Sequence, residues 1–397
     1  MNKEILNAGA FVPGKHVEYP ATSSGILDGL SCGVKDVFDI AGCTTGYGNP
    51  EWEKTHPVPA SDASAVARLR AQGARIVGKT VTDELAFSLA GNNYHYGSPL
   101  NTAAPDRLTG GSSCGSAAAV AAGLCDIGLG TDTAGSVRAP ASFCGLFGIR
   151  TSHGAIAKDG VCGLAPSFDA IGWMTRDART LATVGDVLLP DAPVPASPQE
   201  WVSLESAWAS LRDVTQHEAN ELLRELEPSL GKRSQLYFDL EELDKRMAAF
   251  RTLQFYEVWQ ELGPWVTQVQ PVLGPDIRER FTAASRVTQD EYLAANKVRT
   301  EARNRLGALL EGGRVLVMPT VSAPGPKRSA SVEELNAQRL ADLRFLCVAG
   351  LAGLPQISVP ALSVSGAPLG MSFIGAPGTD KALLALVARL EAQGALR

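Results

Sequence analysis

The chain has 397 residues, of which 45% are hydrophobic and 20% are charged, and its formal net charge is −6. This composition is typical of a globular protein with a large core, and the acidic balance argues against a nucleic-acid-binding protein, which would present a basic face. Seven cysteines without a C-x-x-C pair, no apolar segment of membrane-spanning length and no signal-peptide core together predict a cytoplasmic protein with reduced thiols.

Strands and helices are predicted to alternate along most of the chain. Lys35 is expected on the first strand. The hydrophobic pattern then predicts helices over 63–73, from 82–87, over 117–122 with Ser116 as N-cap, and over 381–393, and strands at 75–80, 127–129, 314–319, 356–360 and 369–375. This alternation predicts an α/β protein, with helices on both sides of a central mixed β-sheet in an α/β/α layered domain.

A change of composition divides the chain internally. Residues 190–198 are rich in Pro and Ala, and they mark the predicted start of a mainly helical subdomain over 196–309. Residues 1–190 and 310–397 are then expected to form the core sheet and its helices. The whole chain, 1–397, is predicted to be one domain with a helical insertion.

Two Gly/Ser-rich segments joined by an Ala-rich stretch lie at 109–138, TGGSSCGSAAAVAAGLCDIGLGTDTAGSVR. Such loops let successive backbone N–H groups converge, as the binding of an oxyanion requires. No Gly-Lys-Ser/Thr follows, which argues against a P-loop. A G-x-S-x-G pattern centred on Ser113 would suit a nucleophile elbow, but a loop-like segment precedes it and only His153 and His217 follow it.

Together with a lysine upstream, these segments resemble a known enzyme family. Lys35 lies in GVKDVFDI, GGSSCGS and GTDTAGSVRAPASFCG follow it, and Ser112 and Ser136 are 24 positions apart. This set is similar to the amidase signature family, and the likeness extends to the Gly-Leu-Pro at 353–355. The segments GYGNPEW, YHYG and SHG look closest to the indole-3-acetamide hydrolase branch of that family.

The resemblance implies a Ser–cis-Ser–Lys triad. Ser136 would be the nucleophile, Ser112 would follow a cis peptide bond and relay protons, and Lys35 would be the base. A lysine accepts a proton only when it is neutral, so burial must lower the pKa of Lys35 from its usual value of about 10.4.

The resemblance also implies the groups around the triad. The oxyanion hole would be formed by the backbone N–H groups of Thr133, Ala134, Gly135 and Ser136. Ala134 stands where the family commonly has glycine, and it would be strained if that position requires a positive φ. We interpret three residues as structural support: Ser113, Asp132 and Arg138. The candidates for the substrate pocket are Tyr94, His95, Tyr96 and Cys114, the last of which replaces a common glycine. No metal-ligand spacing such as H-E-x-x-H occurs, so neither a metal nor another cofactor is predicted.

The resemblance therefore implies an amidohydrolase that cleaves a small primary amide, of the arylacetamide type such as indole-3-acetamide, through a Ser136 acyl-enzyme. Three alternatives stay open: a ureide amidohydrolase for allophanate or carboxybiuret, the glutaminase subunit of a tRNA-dependent amidotransferase, and a non-catalytic binding protein. Acidic ureides would require an arginine or lysine in the pocket. The expected partner is a small amide rather than nucleic acid or a membrane, and the resemblance also implies a homodimer as the candidate assembly.

Overall fold

A single mixed β-sheet runs through the residues that the computed structural model describes, 8–191, 200–211 and 213–396. Its strands are β1 (Ser31–Lys35), β2 (Arg75–Thr80), β3 (Ile127–Asp132), β4 (Phe147–Arg150), β5 (Ala170–Thr175), β6 (Glu200–Leu204), β7 (Lys232–Leu236), β8 (Val315–Pro319), β9 (Gln356–Val364) and β10 (Ala367–Ile374). They are ordered β2-β1-β3-β5-β4-β9-β10-β8-β6-β7. The predicted α/β class and mixed sheet are confirmed.

Helices cover this sheet. They are α1 (Pro50–Thr55), α2 (Ser64–Ala71), α3 (Cys114–Ala121), α4 (Arg138–Phe143), α5 (Ala178–Leu188), α6 (Glu205–Ala209), α7 (Gln216–Leu230), α8 (Leu240–Val269), α9 (Pro275–Ala284), α10 (Gln289–Leu309), α11 (Val332–Ala352) and α12 (Asp380–Ala392). Within the described ranges, no helix combines the length and the apolar character needed to cross a membrane.

Two parallel strand pairings determine which edge of the sheet carries the candidate residues. β1 pairs in parallel with β2 on one side and with β3 on the other. Since the carboxyl ends of parallel strands meet at the same edge, the last residue of β1, Lys35, and the last residues of β3, Thr131 and Asp132, lie at one edge. In the chain, the short helix α3 precedes β3 and the short helix α4 follows it. The serine-rich loop before α3 and the serine-rich loop between β3 and α4 both reach this edge.

Two local predictions were wrong. The segment 82–87 is not a helix, because it contains only a 3₁₀ turn over Glu84–Ala86, in which Leu85 and Ala86 have φ of 48° and 50°. Ser116 does not cap α3, which begins at Cys114. Its hydroxyl instead donates to Leu129 O at 2.9 Å, inside the core.

The region 196–309 contains the helices α6 to α10, and it also contributes two strands to the sheet, which the sequence did not predict. β6 pairs in parallel with both β7 and β8, so these strands extend the sheet at the end opposite β2. Residues 192–199, where most of the predicted boundary at 190–198 falls, lie outside the described residues.

Candidate active site

Lys35 is placed at the site by strand β1. Its side chain is fully buried, and its Nζ lies 2.8 Å from Ser112 Oγ and 2.9 Å from Thr131 Oγ1. Thr131 reaches this ammonium because β3 runs parallel to β1. We did not predict a role for Thr131, although its position two residues after the strand predicted at 127–129 was a usable signal.

Burial changes the chemistry of this lysine. The loss of hydration disfavours the charged form and lowers the pKa of Lys35 to about 8, while Cys114, Asp83 and Asp132 oppose that shift electrostatically. A pKa of about 8 leaves roughly a tenth of the side chains neutral at pH 7. Lys35 is therefore available as a base near neutral pH, which an exposed lysine is not.

The two serine loops are joined directly. The Gly111–Ser112 peptide bond is cis. The next residue, Ser113, donates its backbone N–H to Ser136 O at 3.2 Å and its hydroxyl to Thr131 O at 3.3 Å. Ser112 and Ser136 are both buried, with exposed fractions of 1% and 3%. The structure thus brings Lys35, Ser112 and Ser136 together at one edge of the sheet.

The turn before Ser136 is folded around the Asp132 carboxylate. Gly135 N–H donates to Asp132 Oδ1 at 2.9 Å, and Val137 N–H donates to Asp132 Oδ2 at 3.1 Å. Of the four N–H groups predicted for the oxyanion hole, that of Gly135 is therefore directed at Asp132. Those of Thr133, Ala134 and Ser136 have no acceptor within the described part of the chain. The positive φ of the turn, 131°, falls on Gly135, so Ala134 is not strained there.

Two buried arginines neutralise Asp132. Arg138 donates to it through Nε at 2.9 Å and through a second guanidinium nitrogen at 2.7 Å, and Arg150 approaches at 3.2 Å. Burial alone would raise the pKa of Asp132, but the attraction of Arg138 and Arg150 outweighs it and holds the pKa well below the usual range. Arg138 also donates to Leu346 O and Gln356 Oε1, at 2.7 and 2.6 Å, which fastens the turn to α11 and β9.

A cavity of about 200 Å³ opens beside the triad. Its wall includes Thr131, the hydrogen-bond partner of Lys35, and Thr133 from the oxyanion turn. Asp169 fixes this wall, because it accepts the Thr133 hydroxyl at 2.6 Å and the N–H groups of Leu164 and Ala165 at 2.9 to 3.1 Å. Sequence reasoning missed Asp169, which no motif marks.

The four residues predicted to line the substrate pocket lie outside the wall of this cavity. His95 Nε2 is 2.8 Å from the buried Glu84 carboxylate, and Tyr94 is 61% exposed. Tyr96 packs on an apolar cluster that contains Cys114, whose thiol donates to Val81 O at 3.4 Å. None of the four candidates is among the described residues that line the 200 Å³ cavity. Their contacts anchor the loop over 93–97 and the start of α3.

No group of three or more His, Cys, Asp or Glu side chains within the described ranges has a geometry that could hold a metal ion. The polar groups that converge at this edge are instead a lysine, two serines and backbone N–H donors. Such an arrangement can activate a hydroxyl nucleophile and stabilise the oxyanion that forms when the nucleophile attacks a carbonyl carbon.

Comparison with known proteins identifies a family and several chains that this chain resembles. The family model described as Amidase matches residues 10–214 and 246–384. "Amidase 1" of Arabidopsis thaliana is 37% identical over 416 aligned residues, covering 97% of this chain and 98% of the relative. The A subunit of glutamyl-tRNA(Gln) amidotransferase from Methanothermobacter thermautotrophicus is 30% identical, covering 90% of this chain and 83% of the relative. A solved structure titled "Crystal structure of amidase" aligns with a TM-score of 0.86 at 28% identity, covering 98% and 93%.

Proposed function

Because this chain belongs to the amidase family, and is an amidohydrolase acting on C–N bonds, we propose that it hydrolyses small primary amides with Ser136 as the nucleophile. One observation carries the proposal: the fully buried Lys35, whose pKa is lowered to about 8, lies 2.8 Å from Ser112 Oγ in the loop that contacts Ser136. A neutral lysine beside a hydroxyl is an activating base for a serine nucleophile.

In the proposed first step, Ser136 Oγ attacks the amide carbonyl carbon. Its proton passes to Ser112 Oγ as the Ser112 proton passes to Lys35 Nζ, which becomes an ammonium. Thr131 Oγ1, 2.9 Å from Nζ, accepts a hydrogen bond from that ammonium. The carbonyl oxygen becomes an oxyanion in the turn over 133–136, where each well-placed N–H donor stabilises the transition state by about 3 kcal/mol.

In the second half of the reaction the protons return. Lys35 gives its extra proton back through Ser112 to the leaving nitrogen, so that the C–N bond breaks and ammonia departs. The acyl group is then an ester of Ser136. A water molecule, deprotonated by the same Ser112–Lys35 pair, attacks that ester. The bond between the acyl carbon and Ser136 Oγ breaks, Lys35 returns the proton through Ser112 to Ser136, and the carboxylic acid departs.

Among primary amides, we propose the arylacetamide type, such as indole-3-acetamide. The support is the likeness of the signature segments and the size of the cavity beside Thr131 and Thr133, about 200 Å³, which suits a small molecule rather than a macromolecule. A glutaminase role within a larger enzyme is the second candidate, because a component of glutamyl-tRNA(Gln) amidotransferase is also a relative.

The experiment is ammonia release from a panel of amides by the wild-type protein and by Ser136→Ala. The panel contains indole-3-acetamide, phenylacetamide, benzamide, an aliphatic amide, glutamine and allophanate. We expect arylacetamide hydrolysis that Ser136→Ala abolishes. Equal release by both proteins would refute the role of Ser136. Release from glutamine or allophanate alone would keep the chemistry and replace the substrate class.

We also propose a cytoplasmic location and a homodimer. The location is supported by the seven described cysteines, all of which are free thiols. The homodimer is supported only by the family resemblance. Fractionation of a tagged chain tests the first, and light scattering of the purified protein tests the second, for which a monomer mass would be the contrary result.

A further inference from the structure

Two carboxylates hold the turn over 133–136, in which the oxyanion is proposed to form. Asp132 accepts the N–H of Gly135 at 2.9 Å and so fixes the second half of the turn. The first half is held by a side chain, because the Thr133 hydroxyl donates to Asp169 Oδ1 at 2.6 Å. Thr133 and Asp169 are both buried. A hydrogen bond to a charged acceptor is roughly twice as strong as one between neutral groups.

The sheet places Asp169 opposite Thr133. β3 and β5 are antiparallel, and their last pair of facing residues at this edge is Asp132 and Ala170. Thr133 directly follows β3 and Asp169 directly precedes β5, so these two residues face each other one step beyond the paired strands. Both side chains are short. Their hydrogen bond therefore fixes the distance between the two backbones at this point.

The Asp169 carboxylate is itself fixed in place. Its oxygens accept the N–H groups of Leu164 at 2.9 Å and of Ala165 at 3.1 Å. The N–H of Asp169 donates in return to Ala165 O at 3.0 Å. These bonds close residues 164–169 into a compact loop, which we call the brace loop. Leu164 and Asp169 also line the 200 Å³ cavity, so the brace loop forms part of the cavity wall.

Two helices bind the other side of the brace loop. Glu257 of α8 accepts the N–H of Ser167 at 2.9 Å. Arg299 of α10 donates to Ser167 Oγ and to Ser167 O, both at 2.7 Å, and its guanidinium lies 4.2 Å from the centre of the Phe168 ring. Glu257 and Arg299 are both buried. Because α8 and α10 hold the brace loop, Asp169 is a rigid acceptor for Thr133.

Thr133 connects this anchored loop to the reacting atoms. The same residue carries the hydroxyl that Asp169 accepts and one of the backbone N–H groups of the proposed oxyanion hole. An oxyanion-hole donor is effective at about 2.7–3.1 Å from the oxyanion, and a misplacement of about 1 Å can cost about a hundredfold in rate. The position of Thr133 therefore bears directly on the rate of the reaction.

We propose that Asp169 is a positioning residue for amide hydrolysis: through the Thr133 hydroxyl, it holds the N–H groups of Thr133 and Ala134 where the carbonyl oxygen becomes an oxyanion. In this role Asp169 acts only through Thr133 and transfers no proton. The inference rests on the proposed function, in which Ser136 attacks the amide. It assigns a role to a residue that lies outside the signature segment at 109–138.

The test compares the wild type with Thr133→Val, Thr133→Ser and Asp169→Asn on the amide that the wild type hydrolyses fastest. Valine keeps the shape of threonine and removes the hydroxyl, whereas serine keeps the hydroxyl. Thr180→Val is the matched control, since the Thr180 hydroxyl donates to Asp177 at 2.9 Å at the start of α5. Thr180 is not among the described residues that line the cavity. kcat and KM are measured separately, beside a melting curve of each protein.

Thr133→Val should lower kcat about ten- to a hundredfold and leave KM nearly unchanged, because the oxyanion exists only after Ser136 has attacked. Thr133→Ser should retain most of the wild-type kcat, and Thr180→Val should change neither constant. Asp169→Asn, which replaces an acceptor oxygen by an NH₂ donor, should lower kcat at least as much as Thr133→Val. The Thr133 variants decide the outcome even where Asp169→Asn fails to fold. An unchanged kcat in Thr133→Val, or equal losses in Thr133→Val and Thr133→Ser, would overturn the inference.

Hydrogen exchange of the ligand-free protein separates this inference from the proposed function. The exchange of backbone N–H groups is measured in peptides that cover 131–137, in the wild type, Thr133→Val and Thr133→Ser. Faster exchange in Thr133→Val alone supports the hold of Asp169 on the turn. If the wild type then hydrolyses none of the amides, only the proposed function is refuted. Equal exchange in all three proteins overturns the inference, whatever their turnover.

Discussion

Replacing Asp132 by asparagine tests how the active-site turn is held. The carboxylate is fully buried and forms ion pairs with Arg138 and Arg150, which are also fully buried. Asparagine keeps the shape but removes the charge, so two guanidinium groups lose their counter-charge. Removing one partner of a buried ion pair costs about 3–5 kcal/mol, and we expect a loss of that size in the free energy of unfolding.

The assay is a urea titration at pH 7, followed by tryptophan fluorescence and by circular dichroism. Coincident transitions are required, because a chain of this length need not unfold in two states. Glu221→Gln is the control, since the Glu221–Arg224 pair spans 2.8 Å with both side chains at least half exposed. It should change stability by at most about 0.5 kcal/mol. An equally small effect of Asp132→Asn would refute this account of the turn.

The remaining predictions concern the base, its partner and the turn. kcat/KM should rise as Lys35 loses its proton and level off above about pH 8, and an acidic limb near pH 6 would contradict the assignment of Lys35 as base. Thr131→Val removes an acceptor for the Lys35 ammonium. Because this loss disfavours the charged form of Lys35, the acidic limb of the kcat/KM profile should move to lower pH. An acidic limb that stays in place would refute the contact between Thr131 and Lys35. Gly135→Ala should destabilise the fold by about 1–3 kcal/mol. Adding Leu346→Ala to the same chain should not restore the stability fully, because the positive φ at position 135 remains. Full recovery of stability in a thermal melt would show that only the clash with Leu346 matters.

Most strands could be predicted from the sequence because their hydrophobic runs are short and bounded by Gly or Pro. The strand predicted at 75–80 spans Arg75–Thr80 in the structure, and those at 314–319, 356–360 and 369–375 correspond to β8, β9 and β10. The helix predicted from 82–87 failed because the positive φ values of Leu85 and Ala86 are imposed by tertiary contacts, including the bond from Leu85 N–H to Tyr47 O at 2.9 Å. Local propensity carries no signal for such contacts.

The candidate site likewise contains residues that the sequence could predict and residues that it could not. Lys35, Ser112 and Ser136 lie in motifs with a specific spacing, so the sequence alone marks them as candidates. The aromatic and histidine residues at 94–96 resemble a pocket wall in composition, but in the structure His95 Nε2 lies 2.8 Å from the Glu84 carboxylate. Asp169 and Thr133, whose hydroxyl it accepts, lie 36 positions apart in the chain. Only the fold brings them together.

The most direct test of the triad is reaction with a fluorophosphonate probe, followed by mass spectrometry of the peptides. We expect one adduct, on Ser136, formed much more slowly in Lys35→Ala and Ser112→Ala. Melting curves of both variants control for misfolding. An adduct on Ser113, the centre of the G-x-S-x-G pattern, or labelling of Ser136 at an undiminished rate without Lys35, would contradict the proposed triad.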